Sequence, residues 1–280
     1  MKLIFITLII CVTSITVWAQ ADTITTENQK KTTLTLAALY GSNVSYYGQS
    51  TSQKLPYVLA NATLRLPIGL YFSAGSYKLL NYGSGISETD LGIGFDYPFT
   101  TALNAGISYT RSFYPENSPL LQAANENNIN GTVAYQWPWL KSSLSADFAF
   151  GLEKDVFLSL NHSKSIELGS LFDGNDLIAL EPAIELVAGT QHFLETYTEK
   201  KNAKNKGKGN GNGNGNHTET IVIPATSFDL LTYNLSIPFS YSRANYLAEI
   251  SYQFSILGDK AITETTRTQS FINLSFYYQF

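Results

Sequence analysis

Few residues of this 280-residue chain could carry proton-transfer or nucleophilic chemistry. Its histidines are His162, His192 and His217. The run Asn161-His162-Ser163-Lys164-Ser165 sets a hydroxyl beside an imidazole, the ingredients of a nucleophile and its base. In an extended strand, neighbours point to opposite faces, so Ser163 and His162 part company and Lys164 takes the position two away. His192 has Glu195 nearby, one imidazole–carboxylate pair where a hydrolase needs more. His217 follows a glycine–asparagine tract and reads as solvated. The single cysteine, Cys11, lies in an N-terminal apolar run. The chain therefore reads as a non-enzyme without catalytic, cofactor-binding or metal residues, an embedded lipase or protease being the minor alternative.

A second set of charges is more informative. Arg65, Asp90, Asp96, Asp147, Glu181, Glu185 and Glu249 all sit opposite the apolar residues of alternating segments. In one such segment Ile129, Val133, Tyr135, Trp137 and Trp139 share a face, and Asn128, Asn130, Thr132 and Gln136 share the other. Leu231, Tyr233, Leu235, Ile237, Phe239 and Tyr241 repeat the pattern, as do Tyr246 to Ile256 and Leu91 to Phe99 at every second position. A helix would mix the two sets. The polar face is mostly Gly, Ser, Thr and Asn, which suits a crowded interior better than a solvated surface.

Composition agrees. Hydrophobic residues make up 44% and aromatic residues 13%, but charged residues only 14%, against about 25% in soluble domains. The net charge of −4 and a pI near 5.4 argue against nucleic acid as a partner. Met1-Lys2, the apolar run 3–17 and the small residues around Ala19 and Ala21 form a secretory signal peptide, residues 1–19, cleaved after Ala19 or Ala21. No later segment reaches the ~18 consecutive apolar residues of a membrane helix, so insertion must be by strands.

The expected fold is all-β: a closed antiparallel up-and-down transmembrane β-barrel of about twelve strands, spanning 32–280 after a periplasmic segment 20–31. The strands fall near 32–42, 54–66, 69–80, 87–98, 101–113, 127–138, 142–152, 155–164, 177–194, 227–241, 245–257 and 267–280. Ten strands is the alternative, if the hairpin within 142–176, with its long connection 165–176, lies outside the wall. Short turns at 66–69, 98–100, 138–141 and 242–245 alternate with longer polar connections, as in outer-membrane barrels. Tyr97, Phe99, Tyr135, Trp137, Trp139, Phe239, Tyr241, Phe276, Tyr278 and Phe280 gather at strand ends as an aromatic girdle. Residues 197–224 hold a Lys-, Gly- and Asn-rich tract read as a disordered extracellular loop.

The last residues, Ser270-Phe271-Ile272-Asn273-Leu274-Ser275-Phe276-Tyr277-Tyr278-Gln279-Phe280, end on an aromatic with apolar groups at every second position. This strand resembles the C-terminal signal of Gram-negative outer-membrane β-barrel proteins, without the glycine often found upstream. The resemblance implies export through a cleaved signal peptide, recognition by the barrel assembly machinery through the strand ending at Phe280, and residence among outer-membrane lipid and lipopolysaccharide. It implies a class and no activity, since porins, lipases, proteases and adhesins share it. The inward charges leave two readings. Rings of carboxylate would make a narrow, porin-like channel for small polar or cationic solutes. Alternatively they pair with Arg65 and with Ser, Asn and Tyr to plug a structural or surface-interaction barrel. Glu181 and Glu185 lie about 13 Å apart along one strand, too far for an acid–base pair.

Overall fold

A computed structural model describes residues 31–51, 53–116, 118–172, 174–192, 227–259 and 267–280. The signal segment, residues 20–30 and the tract 197–224 lie outside these, and with them His217 and Glu195. The described strands are β1 (Thr33–Gly41), β2 (Tyr57–Arg65), β3 (Leu70–Leu79), β4 (Glu88–Pro98), β5 (Leu103–Phe113), β6 (Asn127–Gln136), β7 (Lys141–Phe150), β8 (Lys154–Ser163), β9 (Ile166–Gly169), β10 (Asp176–Leu180), β11 (Ala183–Gly189), β12 (Asp229–Arg243), β13 (Tyr246–Leu257) and β14 (Thr268–Gln279).

Apart from β8 with β9 and β10 with β11, consecutive strands pair antiparallel; β10 also pairs with β12, β1 pairs with β14, and β11 bridges β8 to β12, so the sheet closes on itself. β8 and β9 form one stave broken at Lys164-Ser165; β10 and β11 form the next, broken at Glu181-Pro182. Pro182 has no N–H to give the ladder, and its carbonyl accepts from Lys164 N instead. Counted as staves, the barrel has twelve, and the hairpin in question stands in the wall.

The expected long connection 165–176 is a correction. Pairing continues through Ile166–Gly169 against Asp176–Leu180, and the turn proper is 170–175. Asp176 closes it by accepting from Ser170 Oγ and from the amides of Leu171 and Phe172. A second correction concerns Leu231. The register slips where Val187 faces Thr232 and Ala188 faces Leu230, leaving Leu231 as the extra residue of a bulge. It turns inward and is fully buried.

Both chain ends of the described barrel and the short turns share one end, here the turn end; 42–56, 80–87 and 114–126 share the other, the loop end. The outer face carries the apolar half of each strand, with Leu34, Leu36, Leu91, Ile93, Leu144 and Ile250 exposed. Buried side chains collect inside the barrel at the loop end, where a 3-10 turn at Leu121–Ala124 joins them.

Candidate functional site: the lumen

The lumen has two parts, and the first loop makes the division. Residues 42–51 and 53–56 do not arch over the mouth but dip inside. Val44 N donates to Leu55 O and Leu55 N to Asn43 Oδ1, bracing the arms, while Tyr46 and Gln49 exchange backbone hydrogen bonds at the tip. Tyr47 and Gly48 adopt φ of +50° and +80°, which turns the tip sharply. Gly48 is required there: a Cβ would lie 2.7 Å from Asn234 Oδ1 and 2.8 Å from Thr232 Oγ1.

The tip reaches across to β8 and β12. The Tyr47 ring stacks on Phe157 at 3.7 Å between centroids, the Tyr46 ring meets Phe157 edge-on at 5.6 Å, and Thr232 Oγ1 donates to Tyr47 O at 3.0 Å. Phe157, Leu231, Leu257, Ala149, Leu121 and Ala124 pack around the two tyrosines. On the other wall Val44, Leu55, Leu79, Leu120 and Ala123 form a second cluster with Tyr57, Tyr77, Tyr82 and Tyr114. Both plug tyrosines are half-buried, and protein surrounds them closely enough that burial pushes both phenols well above the ordinary 10.0.

Asp155, fully buried at this end of β8, ties the segments at Asn125 and at Thr190–His192 to the wall. Its Oδ1 accepts from Thr190 Oγ1 at 2.8 Å, His192 N at 2.7 Å and His192 Nδ1 at 3.1 Å, and its Oδ2 from Asn125 Nδ2 at 2.8 Å. The imidazole–carboxylate pair near the rim is thus His192 with Asp155, holding a loop in place.

Below the plug the wall is polar. Asp147, just under Tyr47, accepts from Asn130 Nδ2 at 2.9 Å. Glu185 accepts from Asn234 Nδ2 at 2.8 Å, and Glu181, one step towards the turn end, from Ser163 Oγ at 2.8 Å. Glu249 lies across β12 from Glu181, level with Ser240 and Ser275. Near the turn end Arg65 Nη1 meets Asp96 Oδ2 at 2.6 Å, with the guanidinium 4.8 Å from the Tyr71 ring centroid. Asp90 stands higher, two positions from buried Glu88, which accepts from Tyr114 OH and Gln122 Nε2. The seven inward charges therefore share one lumen, but only Arg65 and Asp96 pair with each other.

Sequence reasoning missed Glu88, Asp155 and the plug tyrosines. Glu88 shares its face with Asp90, so parity carried that signal; Tyr46-Tyr47-Gly48, two aromatics and a glycine in a polar loop, was the trace of the plug. His162 also gains a partner. It faces outward on β8, and its Nδ1 lies 2.8 Å from Ser142 Oγ on β7, which accepts from Trp137 Nε1 at 3.0 Å. The hydroxyl beside it in sequence, Ser163, points inward to Glu181. Among the described residues no group of metal-ligating side chains is present.

Around the turn end, Tyr97, Phe99, Tyr135, Trp137, Trp139, Phe239, Phe276, Tyr278 and Phe280 are exposed on the outer face, with Tyr241 half-buried among them. Tyr97 packs edge-on against Phe99, Tyr135 against Trp137 and Tyr278 against Phe280.

No family model matches the chain, and no curated protein matches it. Among solved structures, the KdgM porin superposes with a TM-score of 0.50 at 10% identity, covering 88% of this chain and 99% of that one. LpxR from Salmonella typhimurium gives 0.50 at 8% identity, over 88% and 99%. At such identities the likeness is one of fold, and the fold is the closed antiparallel barrel of Gram-negative outer-membrane proteins.

Proposed function

We propose that the protein is a narrow, porin-like channel of the Gram-negative outer membrane, for small polar or cationic solutes, held shut in this conformation by its own first loop. The observation that carries this is the division of the lumen. A barrel filled only for stability is filled by the side chains of its wall. Here part of the apolar filling at the loop end comes from a loop tip, Tyr46 and Tyr47, packed against Phe157 and Leu231, and the wall beneath it presents carboxylates to the axis. Asp147, Glu181 and Glu185 accept from hydroxyl or amide donors, which keep them aimed inward and bring no opposite charge. Arg65 offsets Asp96, so the remaining field favours cations.

On this reading the loop end is extracellular, residues 1–19 are removed on export, and the strand ending at Phe280 presents the assembly signal. The girdle sits at the periplasmic boundary among outer-membrane lipid, lipopolysaccharide surrounds the loop end, and the barrel works without catalysis or cofactor. The two packed clusters inside the loop end favour a second reading, a closed structural or surface-interaction barrel with no transport.

Planar bilayers separate the two. The wild type is expected to show small, infrequent openings with a cation-leaning reversal potential in a salt gradient. Glu181→Gln with Glu185→Gln should move that potential towards zero. Selective passage fails if no variant conducts, or if the reversal potential ignores the double substitution.

A further inference from the structure

The outer face of the barrel holds one feature that the lumen does not explain. The register of β14, β1, β2 and β3 sets two outward rows side by side. One is Phe276, Ala38, Ala60, Ser76; the next towards the loop end is Leu274, Tyr40, Val58, Lys78. Ala62 and Ala74, paired one row further down, continue the run of small side chains. Three small residues beneath a row of larger ones leave a groove of about 560 Å³ in a wall that is otherwise ridged with Leu, Ile and Phe. From the level of Ala38 to that of Tyr40 it runs about 7 Å along the strands, in the half of the wall nearer the loop end.

Its loop end is marked by a fixed positive charge. Lys78 Nζ donates to Gly83 O at 2.8 Å and to Gly85 O at 2.7 Å, which pins the ammonium at the rim of the groove. Its described contacts are carbonyls, and no described carboxylate pairs with it. A cation held in place at the loop end of an apolar groove in the outward wall is complementary to one kind of molecule: an acyl chain attached to an anionic headgroup.

We propose that this groove binds a phosphorylated, acylated lipid of the outer leaflet, one chain lying over Ala38 and Ala60 and a phosphate at Lys78. The proposal rests on the reading of the protein as an outer-membrane barrel with its loop end outward. A second copy of the chain fits less well. A two-fold contact centred on the groove would meet concave surface with concave surface and bring Lys78 towards its own duplicate.

The test uses the full mature chain, refolded in detergent micelles and titrated with lipid A carrying both phosphates, with dephosphorylated lipid A, and with phosphatidylglycerol, retention being read by native mass spectrometry. Wild type should hold one molecule of phosphorylated lipid A. Lys78→Gln, or removal of the phosphates, should weaken retention about tenfold, as loss of one desolvated charge contact does. Ala60→Phe, which fills the groove, should abolish retention while the heat-dependent gel shift of the folded barrel persists. Equal retention by all three proteins, preference for phosphatidylglycerol, or a dimer dissolved by Ala60→Phe would each overturn the proposal. Conductance is read in parallel. Lost lipid specificity with intact channels refutes the groove alone, whereas failure to insert into bilayers refutes the reading beneath it.

Discussion

At the scale of single residues, the two plug tyrosines show how a loop becomes part of an interior. Tyr46 and Tyr47 sit beside Phe157 and near Asp147 and Asp155, so a phenolate there would face both desolvation and like charge. Their folded-state values are raised above 10.0, so their contribution to the inserted state is complete below about pH 10 and declines as pH rises beyond it. Ultraviolet titration at 295 nm should place these two phenols among the tyrosines that stay protonated past the normal phenol transition, ionising only as the loop is released. In the Tyr46→Phe, Tyr47→Phe variant that late step should lose the amplitude of two tyrosines. If the double variant titrates like wild type, the rings are not inside the barrel. Nothing in the sequence announced this burial. A polar loop with two tyrosines reads equally well as an exposed tip, and the choice is made by Phe157, Thr232 and Asn234, all more than a hundred residues away.

The elements were far more legible, because strand parity is a local property. The alternation that puts Ile129 and Val133 on one face and Asn130 and Thr132 on the other needs only the 2.0-residue period, and pairing with the neighbours copies it around the barrel. What parity could not supply were the interruptions. The bulge at Leu231 reverses the expected face of one residue, and the breaks at Lys164-Ser165 and Glu181-Pro182 hide a stave that continues to Gly169. Two turns make opposite predictions from the same angle. Gly69 has φ +92° and a Cβ there would lie 2.1 Å from Asp96 O, so Gly69→Ala should destabilise the barrel by roughly 1–3 kcal/mol. Ala244 has φ +48° in the two-residue link between β12 and β13, a position that favours glycine, so Ala244→Gly should be neutral or stabilise by up to about 1 kcal/mol. Urea unfolding in micelles checks both; the same sign for the two would mean the turns differ from those described.

At the scale of the molecule, low charge and alternation together specify a wall with an apolar outside and a small polar inside, and the closure of β1 on β14 completes it. The inward charges were readable as a set, since each lies at a fixed parity on its strand. Their connections were not. Arg65 finds Asp96 through the stagger of β2, β3 and β4, and Glu185 finds Asn234 through the pairing of β11 with β12. The central claim is that a removable loop, and not the wall, closes this lumen. Gly48→Val tests it most directly, because a side chain at that tip must displace either Thr232 and Asn234 or the loop itself. Single-channel recording in planar bilayers should find the variant open several-fold more of the time than wild type, with cation preference retained and the folded-barrel gel shift unchanged. A folded Gly48→Val barrel as closed as the wild type would contradict the account.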